Sequence, residues 1–227
     1  MKFKSQVFTQ VSGSVGGLTY AHNQGGLYTR ARTIPVDPST VFQLTVRNAM
    51  AQLVARWSGV LSNTQRAAWE VFATNVPVID ALGSSILISG LAWYLKANVI
   101  RRQAVATIID TAPTIFSFAD LTTPSFTVTA ATDLASVSFT NTDTWATAVG
   151  GHLLTYFSRP QNQSINFFKG PYRVAATVDG AVTPPTSPAS IALPFPVAVG
   201  NRVFAQFIAT NADGRRSAQQ RLTVVAI

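Results

Sequence analysis

Apolar residues recur at helical spacing in three segments of the first half of the chain. Between residues 34 and 58, one predicted helical face carries Phe42, Val46, Ala49, Met50, Leu53 and Trp57. Asp37 is the predicted N-cap of this helix and Pro38 its first residue, since proline has no N–H to leave unpaired there. Gly59 is the predicted end.

Two more helices follow. Ser62-Asn63-Thr64-Gln65 has capping-box spacing, and Pro77 closes the pattern. The apolar face of this second helix is Trp69, Phe72, Ala73 and Val76. A third helix is predicted from about Ser89 to Ala104, with an inward face of Leu91, Leu95 and Val99, extended by Tyr94.

The segment before these helices, residues 1–33, alternates short β-prone runs with glycines. Asn23-Gln24-Gly25-Gly26 lies between two such runs, which predicts a hairpin. Strands this rich in glycine pack weakly, so the alternative is an extended arm that gains order on a neighbouring subunit.

In the second half of the chain, apolar and polar residues alternate with a period of two, as in strands. Strand-like runs occur at residues 126–130, 135–140, 152–157, 172–178, 202–210 and 221–227, with Asp-Gly turns at Asp179 and Asp213. About seven short strands without a helical pattern predict an antiparallel β-sandwich. The predicted fold class is therefore α+β, with a β-arm and three-helix docking module at 1–110 and a sandwich at 111–227, joined near Asp110–Thr114.

Charge is scarce and unevenly distributed. Charged residues make up 11% of the chain, against about 25% in an average soluble domain. Residues 1–110 hold 10 basic and 4 acidic side chains, whereas residues 111–227 hold 7 and 5. So much uncharged surface is typical of a protein that lies against neighbours.

The amino-acid composition excludes most kinds of catalytic and metal-binding site. The absence of cysteine excludes disulfides and thiolate sites, and the two histidines, His22 and His152, lie far apart in sequence. Glu70 is the one glutamate, and no nucleophile-elbow, phosphate-loop or dinucleotide motif occurs. We expect no enzymatic activity, no cofactor and no metal. No apolar run is long enough for a membrane span or a signal peptide, so no membrane partner is expected and synthesis is expected in the cytoplasm.

The segment Arg202–Ser217 resembles the last hairpin of a fibronectin type III domain. In that family an alternating strand leads into an Ala-x-Asn-x-x-Gly turn and a Ser, matched here by Ala209, Asn211, Gly214 and Ser217. Phe204 stands about where the family has a tyrosine. The resemblance covers roughly 25 residues; it implies an immunoglobulin-like sandwich and no particular activity.

The first half resembles a group of tailed-phage and prophage proteins over residues 13–103. The matching motifs, in order, are the Gly-Gly hairpin of residues 16–28, Arg30-Ala31-Arg32, Pro35-Val36-Asp37-Pro38 and Leu61-Ser62-Asn63-Thr64-Gln65-Arg66-Ala67-Ala68-Trp69. Ser89-Gly90, Asn98 and Arg101-Arg102 also fit the group. The resemblance implies a virion structural component and supplies no catalytic residues.

Arginine outnumbers lysine 13 to 4, a bias that favours bidentate contacts at protein interfaces. The candidate interface residues are Tyr20, Tyr28, Arg30, Arg32, Arg47, Arg66, Arg101 and Arg102. Contact between arginines and nucleic acid, such as packaged DNA, is the alternative. In the second half, Trp145 within a polar run and Tyr156 are candidate surface contacts.

The predicted function is that of a head decoration or minor capsid protein in a phage virion. Its predicted partners are major capsid subunits, with further copies of itself in the assembled particle. Two alternatives stay open: a tail or connector accessory protein, and host-surface or glycan adhesion by the sandwich through Trp145 and Tyr156.

Overall fold

The computed structural model describes residues 12–23, 26–34, 36–79 and 83–227. By their internal contacts the residues form two compact units, 1–44 and 45–227. The division into domains at residue 110 stays a prediction. The class is mixed α+β, with helices and antiparallel sheets, as expected.

The first unit contains a three-stranded antiparallel sheet of β1 (Gly13–Val15), β2 (Leu18–Asn23) and β3 (Gly26–Ala31). β2 and β3 pair from Leu18–Ala31 to Asn23–Gly26, which confirms the predicted hairpin strands. Gln24 and Gly25 of the predicted turn lie outside the described residues. The Gly-Gly motif turns the chain between β1 and β2, where Gly16 has a φ of +58°.

The first helix, α1 (Val41–Gly59), begins later than predicted. The backbone N–H of Thr40 donates to Gln43 Oε1 at 3.1 Å, and the N–H of Gln43 donates to Thr40 Oγ1 at 3.4 Å. This reciprocal capping box fixes the start, because it satisfies donors that a helix leaves unpaired. Asp37, the predicted N-cap, instead accepts the N–H of Ser39 in a local turn.

The second helix, α2 (Asn63–Asn75), forms as predicted. Ser62 and Gln65 make both bonds of the capping box, and all four predicted apolar-face residues are buried. A short hairpin follows, with β4 (Val78–Ile79) and β5 (Ser85–Ile86) paired.

The third helix, α3 (Gly90–Gln103), has Ser89 as its N-cap and a different inward face from the predicted one. Its buried apolar residues are Trp93, Tyr94, Ala97 and Ile100, whereas Leu91, Leu95 and Val99 are half-buried. Tyr94 is buried as predicted, but the prediction was wrong for Leu91, Leu95 and Val99, because α3 contacts both α2 and a strand of the following sheets and so has two covered sides.

Seven strands follow: β6 (Ser125–Thr129), β7 (Leu134–Ser138), β8 (His152–Phe157), β9 (Arg173–Asp179), β10 (Ala189–Ala192), β11 (Arg202–Thr210) and β12 (Gln220–Val225). They form two antiparallel sheets, ordered β10-β7-β6 and β12-β11-β8-β9. The six predicted runs are confirmed. β10 and the one-turn helix α4 (Thr144–Thr147) were not predicted. Both sheets contribute to one hydrophobic cluster, with Val128 and Val137 from one sheet and Leu153 and Phe207 from the other.

Candidate interaction surface

The candidate residues of the first unit lie on β2 and β3. Tyr20 is opposite Thr29, and Tyr28 is opposite Ala21, so the two tyrosines occupy neighbouring strands. Both are half-buried, whereas Arg30 and Arg32 at the end of the hairpin are exposed. The backbone N–H of Arg32 donates to Gly17 O at 2.9 Å and ties the end of β3 to the Gly-Gly turn.

Arg66 is half-buried and binds within the helical region. Its Nη1 donates to the carbonyl oxygens of Trp57 at 3.1 Å and Ser58 at 3.3 Å, and its Nη2 donates to Asn63 Oδ1. A cation at the C-terminal end of α1 binds carbonyl groups that the helix leaves unpaired. Arg66 therefore joins α1 to α2, and its guanidinium is occupied.

In the last turn of α1, Arg56 forms a bidentate ion pair with Asp110. Arg56 Nε lies 2.8 Å from Asp110 Oδ1 and Nη2 lies 2.6 Å from Oδ2, while Tyr94 Oη donates to Oδ1 at 3.3 Å. Hydrogen bonding to Arg56 lowers the pKa of Asp110, and burial raises the pKa of Tyr94. Trp69 Nε1 also donates to the Asp110 carbonyl oxygen at 2.9 Å. The segment predicted as a linker is thus held against all three long helices.

Arg101 is the candidate that differs most from its predicted placement. It is 2% exposed. Its Nε donates to Thr107 O at 2.8 Å, and its Nη1 donates to Gly150 O and Asn211 O, each at 3.0 Å. Burial lowers its pKa. Arg101 therefore ties α3 to loops of the sheet region and is not an interface residue in this structure.

Asn98 and Arg101, which fit the phage-like motif, hold the chain that follows α3. Asn98 Nδ2 donates to Tyr94 O and Ile109 O, and its Oδ1 accepts the N–H of Ile109 at 2.8 Å. Asn98 is fully buried. The motif therefore has a structural explanation in the backbone carbonyls and amides that these side chains satisfy.

Arg102 and Arg47 are exposed, as an interface residue requires. Arg102 Nη2 donates to Gln52 Oε1 at 3.2 Å, an exposed contact between α3 and α1. Because Arg66 and Arg101 donate to groups of the protein itself, the candidate arginines are not all available to form one basic face.

Trp145 requires a correction, because it is 0% exposed and cannot be a surface contact in this structure. Its ring packs on Phe139, with centroids 5.2 Å apart, and its Nε1 donates to Asp143 Oδ2 at 3.3 Å. The polar run around it misled the prediction, since Asp143 faces inward and also accepts two hydrogen bonds from Thr122.

Tyr156 requires the same correction. It lies half-buried on β8 beside a small cluster of Ile100, Leu154 and Ile208, and its hydroxyl donates to Gln103 Oε1 at the end of α3. Burial raises the pKa of Tyr156 to about 12. Tyr156 therefore belongs to the contact between α3 and the sheet.

An exposed apolar surface on α1 was not predicted; it consists of Val46, Met50 and Val54, and we call it the α1 stripe. Val46 and Met50 were predicted to face inward, but these three side chains are 44%, 38% and 44% exposed. They are spaced four residues apart and so share one side of the helix. Of the predicted face, Leu53 is buried and Trp57 half-buried. The helical period shows that a face exists and does not show what covers it.

Neither a metal site nor a membrane-spanning helix is found among the residues that the structure describes. No group of three or more His, Asp or Glu side chains there could hold a metal ion. None of the helices there has both the length and the apolar character to cross a bilayer. His152 Nδ1 instead lies 2.7 Å from Asp179 Oδ1, as a pair across β8 and β9.

No family model matches the chain, and no curated protein or solved structure matches it. The resemblances stated from the sequence motifs therefore stay predictions.

Proposed function

We propose that the chain is a non-enzymatic structural component of a tailed-phage virion, a head decoration or minor capsid protein that docks on neighbouring subunits. The observation that carries the proposal is the α1 stripe, combined with the phage-like motifs of residues 13–103. Three apolar side chains in a row on an exposed helix face are the kind of surface that proteins bury on assembly.

Residues 111–227 would form the immunoglobulin-like sandwich that braces or projects from the particle. The seven strands in two antiparallel sheets around one hydrophobic cluster support this finer fold assignment. The fibronectin-like motif supports it as well. Ser217 Oγ accepts the N–H of Ala209 at 2.9 Å, and Gly214, with a φ of +91°, forms the turn that precedes Ser217.

The proposed partners are major capsid subunits and further copies of this chain, with a tail or connector position as the alternative location. Adhesion through Trp145 and Tyr156 has no observation in its favour, because both side chains are used internally. Contact with packaged DNA rests on Arg30, Arg32, Arg47 and Arg102, the candidate arginines that are exposed.

Separating the particles of a lysate into heads and tails, then quantifying this chain in each by mass spectrometry, tests the proposal. We expect a fixed number of copies per head. Recovery with tails alone would replace the head assignment with a tail assignment. Absence from both fractions would overturn the virion proposal.

A further inference from the structure

Two cationic side chains, Lys96 of α3 and Arg216 of the β11–β12 connection, line two adjacent pockets. The first pocket has a volume of about 390 Å³ and is otherwise apolar, with Met50, Leu95 and Val99 in its wall. The second has a volume of about 470 Å³ and is lined by the same two cations together with Val78, Phe118 and Gln219. Both pockets thus share the two positive charges, and the wall of the first pocket is otherwise apolar.

Neither cation has a carboxylate partner in the part of the chain that the structure describes. Lys96 Nζ lies 5.0 Å from the centre of the Trp93 ring, and Arg216 Nε makes one long bond of 3.4 Å to Ser217 O. Within the described ranges, no carboxylate lies within 4.0 Å of either cation, whereas Arg56 and Arg215 each have an aspartate partner.

The proximity of these two partly buried cations costs the free chain electrostatic free energy. Burial lowers the pKa of Lys96 and of Arg216, and the charge of Arg216 lowers that of Lys96 further. A half-buried cation that repels another cation destabilises the fold unless an anion joins them. The site is therefore complementary to a negative charge that none of the described residues supplies.

We propose that the Lys96–Arg216 site is a docking site for a segment of a partner protein that presents a carboxylate beside apolar side chains. The apolar walls decide between protein and nucleic acid, because a phosphate backbone would leave Met50, Leu95 and Val99 uncovered. Met50 belongs to both the first pocket and the α1 stripe, so the site continues the exposed apolar surface. The inference depends on charge and burial in the free chain and does not require the virion assignment.

The test uses the full chain and two probes, octanoate and octanamide, which share an apolar tail and differ in charge. Binding is followed by NMR, through the Met50 methyl and Arg216 Nε signals. We expect octanoate to bind with a millimolar Kd, at least about fivefold more tightly than octanamide. Lys96→Met and Arg216→Met should each abolish this preference, whereas Lys169→Met, which removes an exposed lysine elsewhere, should preserve it.

Three outcomes would overturn the proposal. One is equal affinity for the two probes, or a preference that survives both Met variants. Another is micromolar binding of octanoate, which would assign the site to a small amphiphile. A third is binding of a single-stranded oligonucleotide, dT10, at these two residues without binding of octanoate, which would assign it to nucleic acid.

Stability gives an independent readout. If the two cations bind the carboxylate of a partner, Lys96→Met should leave the Tm of the free chain unchanged or raise it, because the substitution removes an uncompensated charge. A clear fall in the Tm of both Met variants would show that the cations stabilise the fold itself and would contradict the proposal.

Discussion

Helices α1 and α3 carry similar patterns of apolar residues, yet the protein uses them differently. α3 buries Trp93, Tyr94, Ala97 and Ile100, because α2 and β11 cover two of its sides. α1 buries Leu53, whereas Val46, Met50 and Val54 stay exposed. The difference teaches that a helical period specifies which residues share a face, and that the neighbouring elements decide whether that face is core or contact surface.

The largest expected effect compares two adjacent residues of α1. Leu53→Ala should lower the free energy of unfolding by about 4 kcal/mol, since it leaves a cavity at a fully buried position. Val54→Ala should change it by less than about 0.5 kcal/mol, because the side chain is exposed and alanine favours the helix. Urea unfolding followed by tryptophan fluorescence measures both. Equal losses would show that α1 is buried more evenly than described.

The next effect compares adjacent arginines of α3. Arg101→Met should cost about 3 kcal/mol, because three carbonyl groups lose a charged donor. Arg102→Met should change stability by less than about 0.5 kcal/mol, since it loses one exposed contact. The same urea titration separates them. If Arg101→Met proved as mild as Arg102→Met, the role of Arg101 in joining helix and sheets would be wrong.

A third comparison uses one glycine from each helix. A Cβ at Gly90 of α3 would lie 2.7 Å from the backbone nitrogen of Glu70, whereas a Cβ at Gly59 of α1 would meet nothing within 4 Å. Gly90→Ala should therefore cost about 2 kcal/mol through overpacking against α2. Gly59→Ala should be neutral or slightly stabilising. Thermal unfolding tests this, and a neutral Gly90→Ala would contradict the close approach of α2 and α3.

The smallest effect depends on pH and concerns the pair that joins the end of α1 to Asp110. Asp110→Asn should cost about 1.5 kcal/mol at pH 7, where the carboxylate accepts charged hydrogen bonds. Because Arg56 lowers the pKa of folded Asp110 below the ordinary 3.8, the stabilisation is complete above pH 3.8 and is lost as pH falls through the folded value. Unfolding curves of both proteins should converge at low pH. If the difference in free energy of unfolding between the unchanged chain and Asp110→Asn stayed constant at low pH, the charge of Asp110 would contribute nothing to stability.

Local signals in the sequence predicted most of the elements. The capping box at Ser62 and Gln65 and the alternation of β11 depend on neighbouring residues, so they could be read directly. The start of α1 was missed because Thr40 and Gln43 form a capping box that competes with the Asp37-Pro38 signal. β10 was missed because Ala189–Ala192 is too short and too weakly apolar to stand out.

The candidate site was harder to predict, because it depends on contacts between distant residues. Trp145 follows a polar run and Arg101 is itself charged, yet both lie in the interior. There Trp145 donates to the Asp143 carboxylate, and Arg101 donates to the carbonyl oxygens of Gly150 and Asn211. Lys96 and Arg216, which line the same two pockets, lie 120 positions apart in the sequence. No local pattern indicates such a meeting, although a lysine within the apolar period of α3 is a weak signal for it.

Incorporation of a Met50→Asp chain into particles tests most directly whether the α1 stripe is an assembly surface. The matched control is Val182→Asp, which places the same charge at an 84% exposed valine in the sheet region. We predict that both chains fold, with a Tm that is unchanged for Val182→Asp and unchanged or higher for Met50→Asp, because its new carboxylate enters the pocket of Lys96 and Arg216. We also predict that Met50→Asp reduces the copies per particle at least about tenfold, as for a central interface residue. Normal incorporation of folded Met50→Asp, equal to that of Val182→Asp, would contradict the account.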